Sequence, residues 1–298
     1  SLLVALFVLF LSALLSRMFT RRISDLLQAI RQVREGSYEH RTHIPGHDEI
    51  AQIGEEFNSL TDRLQTTEEA RRRFVSDASH EMKTPLAGIK LLTDSILQTE
   101  NIDPATTREF VSDIGAEASR LERITEDLLR LTRLDSGAVE PAVCVAVKPV
   151  LERAARMLQP VARQREVELT CRADEAAAVR ATEGDVHQIL YNLMENGVKY
   201  TAPGGFVHTS VSVEEGQVVI TVSDNGIGIP VEDMPHIFER FYRVDKARSR
   251  QIGGTGLGLS IVGDTVQRRG GEIGVAPRKG GGTVFTVSFP QAEPEVTA

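Results

Sequence analysis

Cysteine is scarce in this sequence of 298 residues: the two cysteines, Cys144 and Cys171, stand far apart with no second pair nearby. Zinc sites and disulfide frameworks need clustered cysteines, so neither is supported, and both residues are interpreted as reduced cytosolic thiols. Long basic runs are also missing, and the formal net charge is -8. Because a nucleic-acid-binding surface must be basic, no DNA or RNA partner is expected.

The overall composition is that of a folded protein. Apolar residues make up 41% of the chain and charged residues 26%, which is ordinary for globular domains. A chain of this length exceeds what one hydrophobic core usually covers. Several folded modules are therefore expected.

The N-terminal segment departs from this pattern, because Leu2–Leu15 is an almost unbroken apolar run. It is shorter than the roughly 20 residues that span a bilayer, but it starts at the beginning of the sequence, so the C-terminal part of a transmembrane helix fits. The alternative is the core of a signal peptide, which carries its positive charge before the run. Here Arg17, Arg21 and Arg22 follow it. We expect residues 1–16 to lie in the inner or plasma membrane and the rest in the cytoplasm.

Two short helices joined by a loop are predicted next. Apolar residues recur at helical spacing before Gly36, and a second series has the three-four spacing of a coiled coil. The stretch Gly36–Glu49 is too polar and broken to be helical. The segment Asp48–Leu60, DEIAQIGEEFNSL, resembles a HAMP linker, which is a dimeric helical relay. The resemblance implies a HAMP linker over residues 17–69, although Ile23 stands near the usual position of a proline; a generic coiled coil is the alternative.

Two longer helical patterns follow, and Asp103-Pro104 marks the turn between them. An antiparallel hairpin is therefore expected over residues 70–137, and its apolar stripe would be buried by pairing two hairpins in a four-helix bundle. This predicts a homodimer. Beyond Ser136-Gly137, short strands such as Val218–Ser223 alternate with helices, which predicts a separate α/β domain over 138–292 and a tail over 293–298.

The sequence SHEMKTPL, Ser79–Leu86, resembles the phospho-acceptor box of histidine kinases. A neutral imidazole has a ring nitrogen free to attack phosphorus, so His80 is a competent nucleophile. The resemblance implies that Glu81 orients the ring and accepts its proton. Thr84 shares the helix face of His80, and in this subfamily a threonine there helps water to hydrolyse the partner's aspartyl phosphate. Pro85 predicts a bend beside the acceptor.

The sequence NLMENGVKYT resembles the N box of the histidine-kinase ATP-binding domain. Asn192 and Asn196 share one helix face, and amide oxygens suit a Mg²⁺ ion that keeps several waters and bridges phosphates. The resemblance implies that Asn196 is the magnesium ligand, that Lys199 lies near the phosphates and that Tyr200 lines the adenine. Gly197 replaces the commoner alanine, which predicts a slightly looser helix.

Three further boxes resemble the remaining walls of that nucleotide site. By likeness, Asp224 of DNGIGIP reads the adenine amino group, and Arg243 of FERFYR contacts the γ-phosphate. The sequence GGTGLGL leads into a helix whose N-terminus favours phosphate, with a mobile lid expected before it. Glycines permit close approach of backbone to ligand. Those assigned to the nucleotide site are Gly226, Gly228, Gly254, Gly256 and Gly258.

The ordered set of boxes predicts a sensor histidine kinase that phosphorylates His80 from Mg-ATP and passes the phosphoryl group to a response regulator. The predicted architecture joins the membrane helix and the HAMP coiled coil to a dimeric four-helix bundle and a two-layer α/β sandwich of the Bergerat type. One alternative is an ATPase of the gyrase and chaperone type, but these carry a glutamate at the position of Asn192. The other is a degenerate kinase that acts as a scaffold.

Overall fold

The computed structural model describes residues 2–46, 48–99, 102–135, 140–245 and 254–292, within two compact units, residues 1–78 and 79–298. Several sequence predictions lie outside the described residues. These are the predicted tail 293–298, the break at Ser136-Gly137 with the 137/138 domain boundary, and most of the expected lid.

The first unit contains helix α1, Leu2–Arg34, and the start of helix α2, Glu49–Gln98. The apolar run and the short amphipathic helix expected after it form one continuous helix, because no glycine or proline interrupts them. Gly36 then ends the helix in a positive-φ conformation. Within the described residues, α1 is the one helix long and apolar enough to cross a membrane.

The loop between α1 and α2 is non-helical, as predicted, and polar contacts within the unit hold it. Arg22 forms a bidentate ion pair with Asp48, with 2.5 and 2.8 Å between the guanidinium nitrogens and the carboxylate oxygens. The Asn58 side chain bonds both the N–H and the C=O of Thr42, at 3.0 and 2.9 Å. Asp48 and Asn58 belong to the HAMP-like segment, so its polar positions fix this loop.

Helix α2 runs without interruption from the second HAMP-like helix into the first helix of the hairpin, which differs from the two separate helices predicted. The connecting residues contain no glycine or proline, and Glu68 pairs with Arg72 four residues on, at 3.1 Å. Pro85 lies inside the helix, which continues through it.

Helix α3, Pro104–Asp135, follows a short turn. Asp103 caps it by accepting from the Ala105 N–H at 2.7 Å, and Pro104 occupies the first helical position, where no N–H is needed. The second unit therefore contains the predicted antiparallel hairpin. Contacts run in opposite chain directions, since Glu81 meets Arg120 at 3.4 Å and a Cβ on Gly88 would lie 3.8 Å from Glu117.

An α/β region, residues 140–292, completes the second unit. The bounds of its elements in chain order are β1 Val143–Ala146, α4 Val147–Gln164, β2 Glu168–Ala173, β3 Ala178–Ala181, α5 Glu183–Tyr200, β4 Phe206–Glu214, β5 Gln217–Asp224, α6 Gly258–Arg268, β6 Glu272–Pro277 and β7 Thr283–Pro290. The five-stranded sheet has the order β2-β4-β5-β7-β6, with β2 parallel to β4 and the other pairs antiparallel, and β1 pairs with β3 in a separate two-stranded sheet.

The core of this region lies between the sheet and helices α4, α5 and α6. Alternate residues of β5 and β7 are buried, so one face of the sheet is covered, which gives the predicted two-layer sandwich. The fully buried side chains include Leu151, Leu158, Leu190, Ile220 and Ile261. The predicted strand Val218–Ser223 lies within β5.

Candidate nucleotide and phospho-acceptor site

A cleft of about 720 Å³ opens in the second unit. Its walls are α5, the loop after β5, the glycine-rich loop before α6, and the face of α3 that meets them. Ten of the residues predicted from the sequence line it together: Asn192, Asn196, Lys199, Tyr200, Asp224, Gly228, Arg243, Gly254, Gly256 and Gly258.

Asp224 lies at the end of β5 with its carboxylate fixed and only 6% of its surface exposed. One carboxylate oxygen accepts the N–H groups of Gly226 at 2.9 Å and Thr283 at 3.2 Å. Burial is the main cause that raises the pKa of this carboxyl above its ordinary value, and the two N–H groups oppose it. The second oxygen can accept an amino group, which suits recognition of adenine.

Gly226 does not line the cleft itself, and its N–H holds the Asp224 carboxylate in place. Sequence reasoning missed the second support of Asp224, which Gly282 and Thr283 provide. Gly282 has φ +98°, and a Cβ there would lie 2.1 Å from the Asp224 carbonyl oxygen. The three consecutive glycines before Thr283 were the signal for this close approach.

Helix α5 presents the N-box residues because its start is firmly capped. Thr182 and Asp185 form a reciprocal capping box, and Arg269 pairs with Asp185 at 2.7 Å. The buried Asn192 side chain donates to the Gly258 carbonyl at 3.0 Å, so it ties α5 to the start of α6. Asn192 therefore fixes the position of the glycine-rich loop relative to α5.

Asn196 and Lys199 lie one turn apart on α5. The Lys199 ammonium lies 3.1 Å from the Glu195 carboxylate, which holds it at the cleft wall. The Asn196 amide is a suitable hard ligand for Mg²⁺. The described residues contain no cluster of three histidine, cysteine or acidic ligands.

Gly197 has a packing role that the sequence did not reveal. It is buried against β4, and an added Cβ would lie 3.0 Å from both methyl groups of Val207. The glycine allows α5 to approach the sheet closely rather than merely loosening the helix.

Arg243 connects the cleft to helix α2 beside His80. Its guanidinium lies 3.1 Å from the Glu81 carboxylate and donates to the Gly254 carbonyl. Its Nε is buried and has no hydrogen-bond partner among the described residues. Arg120 approaches the same Glu81 oxygen at 3.4 Å. Glu81 therefore lies between one arginine of the hairpin and one of the α/β region.

His80 and Thr84 are exposed on α2, outside the residues that line the cleft. The Thr84 hydroxyl donates to the His80 carbonyl at 3.2 Å, as expected for residues four apart on one helix face. The predicted site residues thus form two groups, and the contact between Glu81 and Arg243 links them.

The hairpin also contributes α3 residues that sequence reasoning missed. Asp127 meets Thr255 at 3.1 Å, Arg130 meets Gln188 at 2.6 Å, and Asp135 forms two contacts with Arg240 at 2.7 and 2.9 Å. Charged residues among the apolar positions of a predicted helix were the available signal, but their partners are far away in sequence.

Family models match three segments of the chain. Residues 14–66 match the HAMP domain, residues 70–137 the His Kinase A (phospho-acceptor) domain, and residues 181–293 the histidine kinase-, DNA gyrase B- and HSP90-like ATPase. The exact domain limits predicted from the sequence remain predictions.

Individual relatives agree with these models. Sensor histidine kinase YkoH of Bacillus subtilis is 32% identical over 282 residues, which are 94% of this chain and 61% of the relative. The crystal structure of full-length ShkA with AMPPNP has a TM-score of 0.55 at 28% identity and covers 74% of this chain and 46% of that one. Histidine kinase ThkA in complex with response regulator protein TrrA has a TM-score of 0.61 at 23% identity, with coverages of 84% and 69%, and shows the same fold. The chain spans about half to three fifths of the length of the curated relatives it matches.

Proposed function

The chain belongs to the sensor histidine kinase family, and on that premise we propose that it phosphorylates its own His80 from Mg-ATP and transfers the phosphoryl group to a response regulator. The observation that carries the proposal is the contact between Arg243 and Glu81 at 3.1 Å. It joins the wall of the nucleotide cleft to the residue beside His80, within one compact unit.

The chain's own residues account for each part of the transfer. Asp224 accepts the adenine amino group, and the N-terminus of α6 with its glycine loop receives the phosphates. A His80 ring nitrogen attacks the γ-phosphorus, the bond to the β-phosphate oxygen breaks, and ADP leaves. Glu81 takes the proton that the imidazole loses, and Arg243 stabilises charge on the transferring group. Magnesium held at Asn196 would neutralise phosphate charge during this step.

The second transfer consumes the phosphohistidine. A carboxylate oxygen of the regulator's aspartate attacks phosphorus, the nitrogen–phosphorus bond breaks, and the freed ring nitrogen takes a proton from Glu81 or water, which restores the neutral imidazole of His80. The exposed position of His80 on α2 supports access by a receiver domain. The complex of ThkA with a response regulator supports the same class of partner.

The gyrase-like ATPase alternative lacks support at the residue it requires. Asn192 stands at the position of the water-activating glutamate, and its amide nitrogen is bonded to the Gly258 carbonyl. A neutral amide does not remove a proton from water. Phosphatase activity toward the phosphorylated regulator is a second proposed function, because the Thr84 hydroxyl shares the exposed helix face of His80.

The proposed anchoring and assembly follow from the N-terminal half. Helix α1 is apolar enough to anchor the chain in the plasma membrane, with residues after about 16 in the cytoplasm. The HAMP and phospho-acceptor matches support a homodimer.

The deciding experiment incubates the chain with labelled ATP and magnesium beside His80→Gln and Asn196→Asp. The wild type should gain acid-labile label, and each variant should lose it by more than about a hundredfold, since each removes a group on which the reaction depends. Acid-stable label that survives His80→Gln contradicts the proposal. For the phosphatase function, unchanged phosphate release from a phosphorylated regulator by Thr84→Ala would remove the role of Thr84.

A further inference from the structure

Helix α3 places two acidic side chains in the wall of the nucleotide cleft, the exposed Glu126 and the half-buried Asp127. The carboxylate of Asp127 accepts the Thr255 hydroxyl at 3.1 Å. The same hydroxyl oxygen accepts the N–H of Leu257 at 3.3 Å, at the start of α6. One threonine therefore connects the hairpin to both the glycine-rich loop and the helix N-terminus that face the phosphates.

The environment of Asp127 is unusual for a carboxylate. Burial is the main cause that raises its pKa above the ordinary value, and Glu195 raises it further, whereas the Thr255 hydrogen bond, Lys199 and Arg130 lower it. Lys199 and Arg130 act on this carboxylate by their charge, whereas the side-chain hydrogen bond comes from the neutral Thr255 hydroxyl. A half-buried acid held by a neutral hydroxyl is costly to keep, and such groups concentrate at functional sites.

The position of Asp127 along α3 relates its contact with Thr255 to the position of His80. Arg120, seven residues earlier on the same face of α3, contacts Glu81 beside His80. Seven residues of α-helix extend about 10 Å. The contact between Asp127 and Thr255 thus holds the glycine-rich loop about 10 Å along α3 from Arg120, which contacts Glu81 beside His80. Arg243 contacts Glu81 directly.

We propose that Asp127 is a positioning residue for phosphoryl transfer: by holding the Thr255 hydroxyl, it sets where the phosphate-binding loop lies along the acceptor hairpin. This inference rests on the proposed kinase function. The groups assigned to nucleotide recognition, Asp224 and Asn196 among them, belong to the α/β region, so the contact is expected to act on the transfer step rather than on ATP binding. Misplacement of a reacting group by about 1 Å can cost a hundredfold in rate.

The test measures initial rates of His80 phosphorylation in the full chain over a range of Mg-ATP concentrations. Asp127→Ala should lower kcat about tenfold, the usual size of one lost charge-assisted hydrogen bond, with KM for ATP changed less than about twofold. Asp127→Asn retains an acceptor oxygen and should keep kcat within about threefold of wild type.

Two further variants separate positioning from general damage. Thr255→Val removes the hydroxyl at nearly constant volume, and with it the contacts to both Asp127 and the Leu257 N–H, so it should lose at least as much kcat as Asp127→Ala. The double variant should lose little more than Thr255→Val alone, because both substitutions remove the contact between Asp127 and Thr255. Glu122→Ala removes an acid from the exposed surface of the same helix and should leave kcat unchanged. Thermal unfolding of each variant checks its fold; if Asp127→Ala is unfolded, Thr255→Val and Asp127→Asn decide.

Each remaining outcome is decisive. A wild-type kcat in Asp127→Ala, a rise in KM without a fall in kcat, or additive losses in the double variant would each overturn the positioning role while leaving the kinase function intact. A wild-type chain that gains no label at His80 rejects the kinase function, and the positioning role with it.

Discussion

The hairpin and the α/β region of the second unit bury their apolar side chains to different extents. In the α/β region, sheet and helices enclose side chains such as Leu190, Ile220 and Ile261 almost completely within one chain. On the hairpin, Leu86, Leu91 and Leu97 are 59, 68 and 77% exposed.

This difference in burial indicates that the two regions depend to different extents on assembly with a second chain. The nucleotide-binding region completes its own core, so its site geometry is set by one chain. The hairpin leaves an apolar surface that a second hairpin would cover, so the acceptor's surroundings depend on assembly. Recognition of ATP and presentation of His80 are therefore expected to respond to different perturbations.

The largest effect is expected from Gly282→Val, a substitution in the α/β region, whose core is complete within one chain. Gly282 has a positive φ, and its Cβ would overlap the Asp224 carbonyl. We expect a loss of more than about 3 kcal/mol in the free energy of unfolding and no measurable nucleotide binding. Denaturant unfolding and titration with a non-hydrolysable ATP analogue measure both. Gly274→Ala, at an open position on β6, is the control and should change little; normal nucleotide binding by Gly282→Val would contradict the close approach.

The exposed apolar surface of the hairpin is tested by the double variant Leu91→Asp with Leu97→Asp. Burial of each leucine against the partner contributes about 1.5–3 kcal/mol to dimer stability, so the double substitution should raise the dimer dissociation constant at least a hundredfold. Analytical ultracentrifugation measures the dissociation constant. Nucleotide affinity should remain within about twofold of wild type, because Leu91 and Leu97 lie on α2, outside the residues that line the cleft. The exposed neighbour variant Lys90→Ala is the control, and an unchanged dimer would show that these leucines are not the interface.

Asp224→Asn should sharpen the comparison by separating stability from function. Burial raises the pKa of Asp224 in the folded chain, so the folded state binds more protons than the unfolded state between the two pKa values, and this group's contribution to stability increases as the pH falls through that window. At neutral pH the ionised carboxylate is a cost. The neutral amide should slightly raise the free energy of unfolding and flatten its pH dependence, while affinity for an ATP analogue falls about tenfold or more. Lower stability at pH 7 would contradict this account.

The smallest effect concerns the contact of α5 with β4. Gly197→Ala places a methyl group 3.0 Å from the Val207 side chain and should cost about 1–2 kcal/mol in the free energy of unfolding. Val207→Ala in the same chain should recover part of that loss, because it removes the crowding methyls. A stabilised Gly197→Ala would show that helix propensity outweighs packing there.

Local sequence pattern predicted what local physics determines. Helical spacing marked the helices, alternation marked Val218–Ser223, and the asparagine, glycine and FERFYR boxes together predicted ten residues of one cleft. The pattern did not predict the continuity of α2, because two amphipathic series read as two helices when the link between them is polar. It also missed Thr283 as a support of Asp224 and Asp127 as a neighbour of Thr255, since these pairs meet only through tertiary packing.

Arg243 lies against Glu81, which it shares with Arg120. In the proposed reaction, a γ-phosphate that binds Arg243 would leave Glu81 with one cation fewer, and a carboxylate with fewer cationic partners accepts a proton more readily. Binding of the substrate and activation of the proposed base would then be a single exchange of partners.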